Sequence, residues 1–145
     1  MKKAVYLGMF VALAAAAVMA AAGRGQEQAA GGVQAISWDN WRAAKAKAEE
    51  YDGAGKYAEA LQYYLEYARQ ADGLARPELT AWGKNNAAYM IIKMHRLDPT
   101  VDLAPARKLL EEGLAIEGAS EDCRRIMAMN LEYVRSFLRS DVSAR

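Results

Sequence analysis

From residue 38 onward, apolar residues recur every three to four positions and polar residues fill the gaps. Trp38, Trp41, Ala44, Ala48 and Tyr51 share one face of a helix predicted over 38–52, because residues three and four apart lie on the same side of a 3.6-residue turn. Ser37 precedes it as an N-cap, and Gly53-Ala54-Gly55 ends it, since glycine takes the positive φ of a helix stop. A second helix is predicted over 56–71. Its Tyr57, Ala60, Leu61, Tyr64, Leu65 and Ala68 fill the amphipathic template without a gap, and Gly73 follows. Pro77 suits the first turn of a third helix, which runs to about Arg96. Trp82, Tyr89, Met90, Ile91, Ile92 and Met94 give that helix a broad apolar surface, which places it in the middle of a stack. Asp98-Pro99 breaks it. A fourth helix is predicted over 103–116, with Gly118 as its stop. Ser120 caps a fifth, and Glu121 and Asp122 sit in its first turn, where the helix dipole favours negative charge. Ile126, Met129, Tyr133 and Phe137 form one stripe of the fifth helix, and Met127, Leu131, Val134 and Leu138 a second. No alternating strand pattern occurs over 37–140. The expected fold is all-α, an antiparallel helix-hairpin array over 37–140, with 141–145 a disordered polar tail.

The chain ahead of residue 37 has a different pattern. Lys2 and Lys3 precede AVYLGMFVALAAAAVMAAA, residues 4–22, which holds no charge and ends in small residues. A positive end, an apolar core and a small-residue exit make up a secretory signal, so residues 1–22 are expected to direct export and to be cleaved. The alternative is a retained anchor, a membrane tether through residues 4–22. Residues 23–36 are rich in Gly, Gln and Ala and read as a flexible linker. The location expected is periplasmic or secreted, or inner-membrane anchored if the signal stays. Removal of two lysines takes the formal net charge from +1 to near −1. That balance gives no electrostatic case for nucleic acid.

Short helices joined by tight turns invite a search for a repeat. Ala48, Tyr51, Gly55, Tyr57, Ala60 and Tyr64 resemble the tetratricopeptide repeat in kind and spacing. Small residues at Ala48 and Ala60 let two helices approach, and the tyrosines fill the space around them. The sequence departs from the family at Trp41, which lies three residues early, at Tyr67, where the family has Ala, and in lacking the closing Pro. Residues 82–114 resemble a second, degenerate copy through Asn85-Asn86-Ala87-Ala88 and Ala106, Leu110 and Gly113. Its turn is longer and holds Asp98, Pro99 and Pro105. The fifth helix then corresponds to a capping helix. The resemblance implies a non-catalytic adaptor that binds a peptide or protein on the surface lined by the first helix of each pair. Carried onto this chain, that surface includes Arg42, Lys45, Glu49 and Asp52, with Asn85, Tyr89 and Lys93 from the second pair. Two pairs and a cap are fewer than the three repeats usual for independent stability, which implies homo-oligomerisation or docking onto a larger envelope complex. A small structural subunit of such a complex is the alternative function.

Chemistry-bearing residues are sparse. His95 is the only histidine and Cys123 the only cysteine, so no metal-ligand spacing exists. Glu49-Glu50 and Glu111-Glu112 are adjacent pairs that point about 100° apart on a helix, and they read as solvated faces rather than paired acids. No phosphate loop is present. The expectation is no catalytic residue, no metal and no cofactor. Cys123 reads as a small, partly buried residue. The alternative is a reactive thiol, activated by the helix start and by Arg124 and Arg125, or a link to a second chain. Tyr63 and Tyr67 lie off the main stripe of their helix and are expected to pack against the third helix or to form an exposed aromatic patch.

Overall fold

The computed structural model describes residues 33–143. The signal-like segment, and with it the question of cleavage or anchoring, lies outside the described residues. Among them no helix is long and apolar enough to cross a membrane.

Ser37 adopts extended backbone, and its Oγ accepts the Asn40 N–H at 3.1 Å, which starts α1 (Trp38–Gly53). Then follow α2 (Tyr57–Gly73), α3 (Pro77–Leu97), α4 (Ala104–Leu114) and α5 (Glu121–Ser143). The fold is therefore all-α, with consecutive helices packed as antiparallel hairpins. Three expectations about element ends change. Pro105 belongs to the first turn of α4 rather than to the loop, because its missing N–H is not needed there. At the other end, α4 stops at Leu114, and the Ile116 N–H turns back to the Gly113 carbonyl. Helix α5 also continues to Ser143, past the expected limit at 140, with no Gly or Pro to interrupt it.

The first two connections share one geometry. Lys56 N–H reaches the Tyr51 carbonyl and Gly55 N–H that of Asp52; twenty residues on, Arg76 N–H reaches Ala71 and Ala75 N–H reaches Asp72. Both are Schellman closures, which need a left-handed residue just past the helix. Gly55 supplies it at φ +73°, whereas the second turn puts Ala75 there at φ +52°. The α4–α5 connection is held differently. The Arg124 guanidinium donates to the carbonyls of Leu114, Ile116 and Ala119 at 2.9, 2.7 and 3.2 Å, which satisfies the orphan acceptors at the end of α4.

Helix α2 packs on α1 and α3, and α4 packs on α3 and α5, while α3 also touches α5 directly. An ion pair, Asp52 to Lys93 at 2.6 Å, ties α1 to α3. The result is two layers, α1–α3–α5 and α2–α4. Ala48, Ala60 and Ala87 are fully buried where α1, α2 and α3 meet, with Tyr64 and Met90 around them. This is the close contact expected of Ala48 and Ala60. A second cluster, with Ile92, Leu110, Met127 and Val134, joins α3, α4 and α5. Leu61, Tyr89 and Leu109 pack against both. Helices α2 and α3 approach tightly at Gly83, where a Cβ would lie 2.5 Å from Tyr67 Cδ1 and 2.8 Å from Ala68 Cα. On its far side α5 carries exposed Arg125, Glu132 and Arg139.

The expected linker 23–36 is docked at its end. Gln70 is completely buried; its Oε1 accepts the Ser37 N–H at 2.9 Å, and its Nε2 donates to the Ala35 carbonyl at 3.0 Å and to Glu66 at 2.9 Å. Ile36 lies against Gly73. Residues 35–36 are therefore part of the fold, because a buried amide needs partners and these backbone groups supply them.

The two off-stripe tyrosines separate. Tyr67 packs between Trp41 of α1, with ring centroids 5.1 Å apart, and the Gly83 region of α3. Tyr63 stacks on Tyr51 of α1 at 5.5 Å and packs at the edge of the cluster where α1, α2 and α3 meet. Burial pushes the hydroxyls of both Tyr64 and Tyr67 up to about 12, so both stay neutral.

Candidate functional site

The residues expected on the first-helix surface share one layer, but most are already engaged. Arg42 is exposed and pairs with Asp39 at 2.8 Å on its own helix. Lys45 pairs with Glu49 one turn away. Exposed pairs of this kind contribute little to stability and leave both groups open to exchange partners. Asp52 is held by Lys93 across the α1–α3 boundary. Asn85 corrects the expectation. It is 4% exposed, and its Oδ1 accepts from Asn130 Nδ2 at 3.0 Å. Its helical phase turns it toward α5, so it locks two helices together rather than meeting a partner. Among the acid pairs, Glu50 meets Lys47, Glu111 meets Arg135 and Glu112 meets Lys84.

Tyr89 and Lys93 are four residues apart and lie on the outward side of α3 with Arg96, three further on. Lys93 Nζ sits 5.2 Å from the Tyr57 ring centre and 5.1 Å from that of Tyr89. The Arg96 guanidinium sits 5.7 Å from Tyr89 and 4.9 Å from Tyr133 of α5, and its Nε donates to Tyr133 Oη at 3.3 Å. Tyr133 leans on Phe137 at 4.9 Å, and Phe137 meets the edge of His95 at 5.2 Å. Aromatic and cationic groups thus alternate along a row from Tyr57 to Tyr133, which Phe137 continues, each cation within the range where a ring attracts it. Sequence reasoning named Tyr89 and Lys93 but missed Arg96 and the pairing with Tyr133. The stripe Tyr133–Phe137 was visible; which helix it would meet was not.

His95 has a structural role. Its Nδ1–H donates to the Val101 carbonyl at 2.9 Å and pins the α3–α4 connection. Among the described residues no group of three His, Cys, Asp or Glu is placed to hold a metal. Cys123 is fully buried, and burial pushes its thiol up to about 11, outweighing the opposing effect of Arg124. The helix start and the two arginines therefore do not activate it, and its sulfur has no route to another chain in this fold. Glu78 joins the starts of α3 and α5. It accepts from Ser120 Oγ at 2.6 Å, from the Ser120 N–H and from Trp82 Nε1 at 2.8 Å. The Ser120 hydroxyl, the Ser120 N–H and the Trp82 indole, in that order, hold the Glu78 carboxyl below the usual carboxylate range.

Comparison with protein-family models, with curated proteins and with solved structures finds no match to this chain.

Proposed function

We propose that this chain is an exported, non-catalytic adaptor of the tetratricopeptide type, and that its α1–α3–α5 face docks an extended segment of a partner protein. The observation that carries the reading is the row Tyr57, Lys93, Tyr89, Arg96 and Tyr133, which runs from the first residue of α2, beside the end of α1, across α3 to α5. Aromatic rings offer large contact area at low entropic cost, and the cations beside them bind backbone carbonyls and acidic side chains. The ion pairs Arg42–Asp39 and Lys45–Glu49 extend the same face with exchangeable charge. Export rests on residues 1–22, where the basic start and uncharged apolar run support it. The alternative of a covalently linked structural subunit is weakened by the burial of Cys123 and by the charged far side of α5.

A random peptide library selected on the full chain tests the docking reading. Binders should weaken at least about tenfold with Tyr89→Ala or Lys93→Ala and be unchanged by Gln62→Ala or Lys108→Ala on the other layer. A library that yields no binder, or binders that depend only on the α2–α4 layer, rejects it.

A further inference from the structure

At the Phe137 end of the row a cleft of about 550 Å³ opens between the α3–α4 connection and the C-terminal half of α5. Val101, Leu103 and Leu138 give it apolar walls, and Phe137, which also lines it, is still 40% exposed. Arg96 is the one Lys or Arg among the residues that line it. This guanidinium lies near two tyrosine rings and donates through Nε to Tyr133 Oη, and it has no ion pair among the described residues. Its Nη groups can donate to a carboxylate in the planar fork that a guanidinium offers. The neighbouring acids are spent on the loop itself: Asp98 accepts from Thr100 N–H and Oγ1 at 3.0 and 2.7 Å, and Asp102 from Ala104 N–H at 2.8 Å. A cation with no ion pair among the described residues therefore adjoins a cleft with apolar walls that is open to solvent, and Asp102, which also lines the cleft, is turned to the Ala104 N–H.

We infer that this cleft takes an extended peptide segment in which an acidic side chain is followed two residues later by a bulky aliphatic one. The carboxylate pairs with the Nη edge of Arg96, and the aliphatic group enters between Phe137, Leu138 and Val101. The spacing follows from extended backbone, in which alternate side chains share one side. The inference rests on the docking reading above and names the partner chemistry at one end of that face.

The test is an NMR titration of the full chain with the acetylated, amidated peptide Gly-Ser-Glu-Gly-Leu-Gly. The Arg96 Nε–H signal and the Val101 and Leu138 signals should move together. Arg96→Gln and Phe137→Ala should each weaken binding at least about fivefold, and Lys45→Ala should leave it unchanged. Replacing Glu by Gln, or Leu by Ala, in the peptide should cost about as much; equal binding by either altered peptide overturns the inference. Binding only by a peptide with a free C-terminal carboxylate and no Glu also overturns it. Circular dichroism checks that the variants are folded, and Arg96→Lys keeps the charge but loses the planar fork, so it should fall between wild type and Arg96→Gln. Library binders that need Tyr89 and Lys93 but ignore Arg96→Gln and Phe137→Ala reject the cleft and leave the face as a docking surface.

Discussion

Gly83→Ala sets two known effects against each other. Within a helix, alanine is better than glycine by about 1 kcal/mol, so the change alone favours stability. At Gly83 the new methyl carbon would sit 2.5 Å from Tyr67 Cδ1 and 2.8 Å from both Cα and Cβ of Ala68. Comfortable carbon contacts are at about 3.5–4.0 Å. Tyr67 has little room to yield, because it is buried against Trp41. Ala68 Cα is backbone and moves only with α2. Helix α2 would have to retreat by about 1 Å, and α2 packs on α1 as well as α3. Overpacking a tight contact costs about 1–3 kcal/mol, and the rigid neighbours put this site at the upper end. The net expectation is a loss of about 1–2 kcal/mol despite the better helix former. Gly53→Ala is the control. It makes the same substitution in the last turn of α1, with nothing within 4 Å and no positive φ, and should gain up to about 1 kcal/mol. Urea unfolding followed by far-UV circular dichroism measures both, and the melting temperatures should move in opposite directions by roughly 4–8 °C per kcal/mol. Equal or greater stability for Gly83→Ala, with an unchanged urea slope, would refute the close-approach argument.

Ala75→Gly should stabilise by about 1 kcal/mol, because Ala75 holds φ +52° in a closure that Gly55 makes without strain; a urea midpoint at or below wild type contradicts this. Gln70→Ala should cost about 2 kcal/mol, since it removes the bonds to Ser37, Ala35 and Glu66. Hydrogen exchange should then speed up at Ser37 before Ile91 and Ile92 are affected. The depressed pKa of Glu78 contributes stability that is fully present above its ordinary value of 4.5 and is lost as pH falls through the folded value. Glu78→Gln should therefore be less stable than wild type at pH 7 by about 1 kcal/mol, allowing for solvent at this partly exposed group, and the gap should close in acid. Maleimide should label Cys123 at least about 100-fold faster in urea than in the native protein, because the thiol is buried and its thiolate suppressed; equal rates would contradict the burial.

Periodicity was enough to read the helices, because each apolar face repeats every turn and the stops are chemically distinct. Ala48 and Ala60 were legible as a contact for the same reason: small residues on facing stripes imply close approach. Gln70 was not. It looks like any surface polar residue until the chain before α1 folds back beside it. Asn85 failed in the opposite direction, as a polar residue on a face assumed to be wet, because its partner Asn130 lies 45 residues away. The end of α4 was overread because Ala115 and Ile116 continue the apolar pattern while Arg124 takes the carbonyls of Leu114 and Ile116. The candidate site suffers most from such distances. Asp52 and Lys93 are 41 residues apart and Arg96 and Tyr133 are 37 apart, so their meeting depends on the layer order of the helices rather than on any local spacing.

The Gln70 clamp also determines how the fold bears a load. A pull on the chain ahead of Ala35 is met at the Ala35 carbonyl by the Gln70 amide, fixed in the buried side of α2, and by Asn40 Nδ2 in the first turn of α1. The Ala35 and Ser37 bonds to one side chain, with Ile36 seated on Gly73, share that force between two backbone positions. Traction is thereby shared between the first turn of α1 and α2, which is braced by helices on both sides. A domain held at its leading end and loaded by a partner on its α3–α5 side would unfold under shear across the first hairpin, not by fraying from the tip.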